Sequence, residues 1–257
     1  MVEEFDEKFL KKAGKVATQA ALKAGKSLLK NYKKDLEFFS KGTNDFATNA
    51  DLEAEKIILD VIRKNFPEHS ILSEEAGKDK LPSDFVWCVD PLDGTHNFAR
   101  KLPFFGTSVG LAYKGVPIVG AIFLPVQNEL FFAVKGKGAF LNGKKISVSR
   151  VSEFAKAYAS FEAYPKTALL YKEFQKIAKL GLENLLTFSC AVVDLLLVSK
   201  GKVEFCIFFK THAWDCCAAV IIIEEAGGRV TNLKGKKWDI SHGEILASNS
   251  IIHEKIF

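Results

Sequence analysis

The amino-acid sequence predicts a layered α+β protein, and three observations support this prediction. Two amphipathic helical patterns come first, a series of short apolar strands follows, and the second half alternates between strand and helix patterns. This order is typical of domains in which helices and sheets pack in layers. A chain of 257 residues is long enough for one or two domains, and we expect one protein with two lobes.

The first part of the chain predicts two helices. Apolar residues recur near helical spacing over residues 6–32, which indicates one long amphipathic helix. Thr48 or Asn49 can cap a second helix, whose apolar stripe ends before Pro67. The polar, glycine-containing segment 31–48 between these helices is predicted to be a mobile loop that acts as a lid.

Strands are predicted next, at residues 70–73, 85–90, 107–113, 116–124 and 129–134. The last three form an antiparallel meander, because turn-forming residues separate them. Beyond residue 138 we predict strands near 155–161, 185–188, 203–209 and 244–247, and helices near 168–180, 191–199 and 214–226, followed by a short terminal helix. This change of pattern places the two predicted lobes at residues 1–138 and 139–257.

Composition excludes several classes of protein. The 36 basic and 31 acidic side chains leave a net charge of +5, and this small excess is spread along the chain, so we expect no nucleic-acid partner. No apolar run approaches the roughly 18 residues of a membrane span, and no leader pattern opens the chain, so we expect a cytoplasmic protein without a membrane partner. The five cysteines lack zinc-ligand spacing and are expected to be reduced thiols of the core.

Acidic residues stand where carboxylates are usually costly. Glu74 and Glu75 follow one predicted strand, Asp90 and Asp93 follow the next, and Asp215 opens a strongly apolar helix. Carboxylates with no neighbouring His or Cys ligand favour Mg²⁺ or Mn²⁺ over zinc. Each motif alone has a simpler interpretation, because Asp-Pro-x-Asp-Gly is common in turns and an Asp often caps a helix.

Taken together, three motifs resemble the inositol monophosphatase family: Ile71-Leu-Ser-Glu-Glu75, Trp87-Cys-Val-Asp-Pro-Leu-Asp-Gly-Thr-His-Asn-Phe98 and His212-Ala-Trp-Asp215. Asp45-Phe-Ala-Thr-Asn-Ala-Asp51 is similar to the amino-terminal motif of that family, so the resemblance covers nearly the whole chain. It implies a layered αβαβα sandwich with the metal site between the two lobes. It also implies a Mg²⁺-dependent, Li⁺-sensitive phosphatase that forms a homodimer.

The resemblance implies a set of metal ligands. Glu74, Asp90 and the carbonyl of Leu92 would hold one ion, while Asp90, Asp93 and Asp215 would hold a second ion, with Asp90 between them. Two ions about 3.5 to 4 Å apart can stabilise both the attacking and the leaving oxygen of a displacement at phosphorus. The implied cofactor is therefore Mg²⁺, two or three ions per site, with Mn²⁺ as a substitute.

The resemblance also implies catalytic roles. Thr95, with Glu74 and Asp51, would orient and activate a metal-bound water that attacks phosphorus directly, without a protein nucleophile. Glu75 would contact a third ion through water, and Lys41 would contribute to the surroundings of that ion.

The expected substrate is a small phosphorylated molecule. Its phosphate would bind against Asp93, Gly94 and Thr95, with Ala191 and Lys210 as further candidates for substrate contacts. The backbone N–H groups of the Gly94 turn can donate to phosphate where a helix begins near residue 96.

Two departures from the family pattern leave the substrate open. Phe208 stands where inositol-selective members have a Glu that contacts the sugar ring, although a Phe there is equally explained as a core residue. Cys190 lies in segment 189–194, where the family usually has Gly-Ser/Thr-Ala-Ala-x-Asp/Asn. Candidates are inositol 1-phosphate and fructose 1,6-bisphosphate, or, as in some relatives, adenosine 3′,5′-bisphosphate or histidinol phosphate.

The acidic motifs have two other possible interpretations. A haloacid-dehalogenase-type phosphatase would use its first Asp as a nucleophile, but Pro91 and Leu92 separate the two aspartates here where that motif has one residue. A metal-binding or regulatory homologue without turnover is the second alternative. It is disfavoured because every implied ligand position is filled.

Overall fold

The computed structural model describes residues 5–42, 45–79, 81–162 and 174–256. Within them the principal helices are α1 (Glu7–Asn31), α2 (Asn49–Asn65), α3 (Thr95–Ala99), α4 (Ala191–Ser199) and α5 (Ala213–Glu225), and short 3₁₀ turns lie at Phe154–Lys156 and His253–Lys255. No helix in this part of the chain combines the length and the apolar character needed to cross a membrane.

The strands form three sheets. They are β1 (Phe38–Gly42), β2 (Asp45–Thr48), β3 (Ser70–Ser73), β4 (Gly77–Lys78), β5 (Phe85–Asp93), β6 (Gly106–Tyr113), β7 (Val116–Leu124), β8 (Glu129–Val134), β9 (Ala139–Leu141), β10 (Lys144–Lys145), β11 (Tyr158–Glu162), β12 (Asn184–Leu186), β13 (Phe205–Phe208), β14 (Arg229–Thr231) and β15 (Ile245–Ser248). The largest sheet has the order β10-β9-β8-β7-β6-β5-β3-β4, the second has the order β12-β11-β13-β15-β14, and β1 pairs only with β2 among the described strands.

Three hydrophobic cores separate the layers. Helices α1 and α2 pack on one face of the eight-stranded sheet, and α4 and α5 fill the space between the two large sheets. A third core covers the outer face of the five-stranded sheet, where Ile177 and Ile256 pack. The predicted αβαβα sandwich is therefore confirmed.

Most predicted elements are present, but the segment before Thr48 is not the predicted loop. Strands β1 and β2 form an antiparallel hairpin there, with Phe38 opposite Thr48. Every residue of β1 is exposed, so the strand has no buried face and lacks the alternation of apolar and polar residues that reveals strands in a sequence. In the predicted helix 168–180, residues 174–178 are helical, and residues 168–173 lie outside the described part of the chain.

The eight-stranded sheet continues past the predicted lobe boundary. Strand β9 follows residue 138 and pairs with β8, and β10 then pairs with β9. Helix α5 also packs against β6 and β7 of this sheet. The division of the chain into lobes 1–138 and 139–257 stays a prediction.

Two glycines allow α5 to lie directly on the eight-stranded sheet. A Cβ atom at Gly110 would lie 2.7 Å from the Sγ of Cys217, and one at Gly120 would lie 2.4 Å from the carbonyl oxygen of Ala218. These distances are too short for non-bonded contacts, so only glycine fits without a shift of the helix. The close packing matters for function because α5 carries Asp215 in its first turn.

We expect Gly120→Ala to lower the free energy of unfolding by about 2 kcal/mol, because the added methyl group meets the backbone of α5. Urea unfolding followed by circular dichroism measures this loss. Gly42→Ala is the matched control, since a Cβ atom at Gly42 would meet no atom within 4 Å and its φ is not positive. Equal stability of the Gly120 variant and the native protein would contradict the close packing.

Candidate active site

The tip of the β3–β4 hairpin carries two glutamates. Ser73 pairs with Gly77, so Glu74 and Glu75 lie in the short turn between them. The N–H of Glu74 donates to the carbonyl oxygen of Val89 at 3.1 Å. Because β3 and β5 are parallel neighbours, this turn and the acidic end of β5 lie at the same edge of the sheet.

Strand β5 extends farther than predicted, through Asp93. Pro91 lacks an N–H and interrupts the pairing with β6, but the strand resumes at Asp93 after a shift of register. Asp90 is 1% exposed, and its Oδ1 accepts the N–H of Leu92 at 2.9 Å. Gly94 follows with a φ of 85°, a conformation that favours glycine.

Asp51 lies in the first turn of α2 and is fully buried. Its Oδ2 accepts the N–H of Thr48 at 2.8 Å and the hydroxyl of Thr48 at 2.5 Å. The bond from the Thr48 N–H is one half of a capping box, and in the other half the Thr48 side chain accepts the backbone N–H of Asp51. The hydroxyl of Thr95 lies 3.2 Å from Asp51 Oδ1 and 3.0 Å from the carbonyl oxygen of Leu92. Burial raises the pKa of Asp51 to about 6, so this carboxylate can hold a proton near neutral pH.

Asp93 faces the first turn of α4, which lies about a hundred residues farther along the chain. Its Oδ2 accepts the N–H of Val192 at 2.5 Å and lies 3.4 Å from the Sγ of Cys190. Burial raises the pKa of Asp93 to about 6, while the N–H groups of Val192 and Ala191 oppose this increase. No sequence pattern links Asp93 to these residues, because the contact exists only where the two layers meet.

Asp215 lies in the first turn of α5. Its Oδ2 accepts the N–H of His212 at 2.7 Å and the hydroxyl of Thr211 at 3.0 Å. Burial, followed by the charge of Asp93, raises the pKa of Asp215 to about 7. The N-cap residue is His212, and Asp215 is the third helical residue of a capping box, so the simpler interpretation of Asp215 as the N-cap itself is wrong. The Asp215 carboxylate also lies close enough to Asp93 to interact with it.

Asp90 lies at the centre of these carboxylates. Its pKa is raised well above the usual range, first by burial and then by the charges of Glu74, Asp93 and Asp215. The structure thus brings together four acidic side chains that come from three separate segments of the chain. Like charges at close range repel, and this repulsion needs a cation or protons to offset it.

Lys41 is the basic side chain that pairs with the cluster in the described part of the chain. It extends from β1, and its Nζ lies 2.8 Å from Glu74 Oε1 and 2.5 Å from Glu75 Oε1. Burial alone would lower the pKa of Lys41, but the two carboxylates outweigh burial and raise it. Lys41 therefore stays protonated and holds the hairpin against the Glu74–Glu75 turn.

The chemistry of the cluster fits a hard divalent cation. All the candidate ligands are oxygens, and such ligands suit Mg²⁺ or Mn²⁺. No group of three Asp, Glu, His or Cys side chains among the described residues is already arranged to hold an ion. The carboxylates bond to neighbouring protein groups instead: Glu74 to Lys41, Asp93 to Val192 and Asp215 to Thr211. Each carboxylate has two oxygens, so a cation can bind the oxygen that these partners leave free or can replace the partners.

Some of the candidate substrate contacts lie beside the carboxylates, and others do not. Gly94 and Thr95 lie beside the cluster, and Ala191 opens α4 next to Asp93. Lys210 is exposed in the segment between β13 and α5, and no described contact joins it to the carboxylates. Phe208 is 1% exposed in the core shared with α4 and α5, so the interpretation as a core residue is confirmed.

The sequence matches a known protein family. The sequence model of the inositol monophosphatase family matches residues 10–257. The chain belongs to the inositol monophosphatase family. Membership excludes the haloacid-dehalogenase-type alternative and agrees with the resemblance carried by the motifs.

Individual relatives within the inositol monophosphatase family carry two kinds of name. Nus factor SuhB of Pasteurella multocida is 35% identical over 94% of this chain and 92% of its own length. Phosphatase IMPL1, chloroplastic, of Arabidopsis thaliana is 37% identical over 84% of this chain and 61% of its own length. The solved inositol monophosphatase of Anabaena is 36% identical, covers 96% of this chain and 94% of its own, and has a TM-score of 0.85.

These names bear on the expected partners of this inositol monophosphatase family member. A phosphatase and an inositol monophosphatase among the relatives agree with a small phosphorylated substrate. Nus factor SuhB is not named as a phosphatase, so the relatives do not confirm that nucleic acid and other macromolecular partners are excluded.

Proposed function

We propose that the chain is a Mg²⁺-dependent phosphatase that hydrolyses a small phosphate monoester, with inositol 1-phosphate and fructose 1,6-bisphosphate as the first candidates. The observation that supports this most strongly is the meeting of Glu74, Asp90, Asp93 and Asp215 beside Thr95, in a chain of this family. Among the described residues, Lys41 is the basic side chain that forms an ion pair at this cluster, and a bound cation would offset the remaining negative charge.

Specific oxygens would hold the ions. Glu74, Asp90 and the Leu92 carbonyl would bind one ion, and Asp90, Asp93 and Asp215 would bind the other. When bound, Mg²⁺ supplies positive charge to the phosphoryl oxygens and increases the acidity of water. The Leu92 carbonyl oxygen lies 3.0 Å from the Thr95 hydroxyl, so this backbone group also positions Thr95.

Thr95 and Asp51 form the proposed path for a proton. A hydroxyl group carries one proton, so Thr95 donates at any moment either to Leu92 or to Asp51. When Thr95 Oγ1 accepts a proton from the attacking water, its own proton can pass to Asp51 Oδ1, 3.2 Å away. Because the pKa of Asp51 is about 6, the carboxylate can accept this proton and later return it through Thr95.

We expect Thr95→Ala to lower kcat for phosphate release by about a hundredfold, because the link between water and Asp51 is lost. Thr95→Ser keeps a hydroxyl group and should stay within about tenfold of the native protein. Initial rates at saturating substrate and Mg²⁺ measure both variants, and Tm values show whether each is folded. Native-like turnover of a folded Ala variant would exclude Thr95 from the proton path.

The identity of the substrate is a separate part of the proposal. Because Phe208 is buried and Lys210 lies on the surface, neither supplies a described polar contact for a sugar ring beside the cluster. We therefore infer that the site selects the phosphate group more strictly than the sugar. Lithium inhibition and a homodimer are carried over from the family resemblance as part of this proposal.

A panel of substrates tests the function. Phosphate release is measured with Mg²⁺, with and without Li⁺, from inositol 1-phosphate, fructose 1,6-bisphosphate, adenosine 3′,5′-bisphosphate and histidinol phosphate. Mg²⁺-dependent release from at least one is expected. No release from any of them, while Mg²⁺ still binds, would favour the regulatory alternative.

A further inference from the structure

A buried glutamate that has no assigned role lies beneath the Glu74–Glu75 turn. Glu55 is in α2, four residues after Asp51, and is 8% exposed. Its Oε1 accepts the hydroxyl of Ser73 at 2.5 Å and the N–H of Ala76 at 2.9 Å. A single carboxylate oxygen thus binds both sides of the turn that carries the two glutamates.

The turn is held from more than one side. On the sheet side, the N–H of Glu74 donates to Val89. On the solvent side, Lys41 pairs with the carboxylates of Glu74 and Glu75. Any cation that takes Glu74 as a ligand competes with Lys41, whereas Glu55 bonds to Ser73 and to backbone and keeps its contacts.

Helix α2 connects two parts of the site. Residues four apart lie on the same face of a helix, so Asp51 and Glu55 point in similar directions. Asp51 contacts Thr95, which follows β5, while Glu55 contacts the turn that follows β3. One rigid helical face therefore sets the distance between the proposed proton acceptor and Glu74.

We propose that Glu55 is a positioning residue that holds the Glu74–Glu75 turn in register with Asp51, so that Glu74 is presented to a divalent cation. This inference rests on the proposed function and adds a residue to it. Groups that orient a metal ligand typically change metal affinity by 10- to 100-fold when they are removed.

Two variants distinguish the effect of the hydrogen bonds that Glu55 accepts from the effect of its negative charge. Glu55→Ala removes both bonds to the turn, whereas Glu55→Gln keeps a carbonyl oxygen that can accept both of them. Equilibrium Mn²⁺ binding, followed through the signal of free Mn²⁺ in electron paramagnetic resonance, needs neither substrate nor turnover. We expect the Ala variant to bind Mn²⁺ about 10- to 100-fold more weakly, and the Gln variant to stay within about threefold of the native protein.

A matched control removes equivalent bonds elsewhere. Glu225 accepts the N–H groups of Gly136 at 2.7 Å and Gly138 at 2.6 Å, at the opposite end of α5 from Asp215. Glu225→Ala should lower Tm as Glu55→Ala does, but leave Mn²⁺ affinity unchanged. If the Glu55→Ala protein does not fold, Ser73→Ala removes one partner of Glu55 and should weaken Mn²⁺ binding by a smaller factor.

Native Mn²⁺ affinity in folded Glu55→Ala, or in Ser73→Ala where the first variant does not fold, would overturn the proposal. A Gln variant as weak as the Ala variant would do the same, because charge and not position would then matter. A native protein that binds Mn²⁺ but releases no phosphate contradicts the proposed function alone, and the affinity ranking of the variants still supports the role of Glu55. A native protein that binds no Mn²⁺ overturns both.

Discussion

Asp90→Asn is expected to lower Mg²⁺-dependent phosphate release by at least about a thousandfold while leaving the metal-free protein as stable as the native one, or more stable. Activity falls because Asp90 is the ligand proposed to serve both ions, whose charge contributes several kcal/mol to the transition state. Stability does not fall, because burial and the charges of Glu74 and Asp93 raise the pKa of Asp90, and the variant removes this repulsion.

Activity is expected to fall while stability stays the same or rises, and this combination distinguishes loss of a metal ligand from unfolding. Release of inorganic phosphate and Tm in a chelating buffer are measured on the same preparations. Asp194→Asn is the control, since Asp194 is also fully buried with a pKa raised to about 6 by burial, and the family accepts Asp or Asn at this position. A folded Asp90→Asn protein with native turnover would remove Asp90 from the proposed metal site.

The second large effect is that the stability which bound Mg²⁺ adds to the folded protein depends on pH. Burial raises the pKa of Asp51 and Asp93 to about 6 and that of Asp215 to about 7, from 3.8. These groups therefore stabilise the metal-free fold below pH 3.8, and that contribution is lost as the pH rises through 6 and 7. Above this window the carboxylates are charged and repel one another, which is also the state that binds cations.

We expect Mg²⁺ at about a hundred times its Kd to raise Tm by about 5 to 10 °C at pH 8, and by much less at pH 5.5, where protons compete for the ligands. Differential scanning calorimetry with and without Mg²⁺ at matched ionic strength measures the gain at each pH. His69 and His253, whose pKa burial lowers to about 4, are uncharged in the folded protein at both pH values with and without Mg²⁺, so the difference between the two samples removes their contribution. A gain that is equal at both pH values would contradict binding by these carboxylates.

Local signals in the sequence were sufficient for most of the secondary structure. The meander of β6, β7 and β8 was predictable because turns separate its apolar runs, and Thr48 marks the start of α2 as a capping residue. Strand β5 was predicted to end at Asp90, but its pairing resumes at Asp93, because a local irregularity absorbs Pro91. The hairpin of β1 and β2 was missed because its first strand has no buried face to produce an alternating pattern.

The candidate site was predictable only in part. The acidic motifs and their order identify the family, and family membership is what makes Glu74, Asp90, Asp93 and Asp215 ligand candidates. The groups that hold these carboxylates were not predictable from spacing. Glu55 has one sequence signal, its place four residues after Asp51 on the same face of α2, but nothing in the sequence indicates that this face meets the turn after β3.

The sequence by itself determined the family, the order of helices and strands, and the residue types that suit a hard cation, because these depend on motifs, periodicity and caps within short segments. Tertiary structure alone decided that Asp93 meets the first turn of α4, that Lys41 pairs with Glu74, and that Phe208 lies in a core away from solvent. The physical reason is that such contacts join segments far apart in the chain. Their distances follow from how the sheets and helices pack into layers, which no local pattern records.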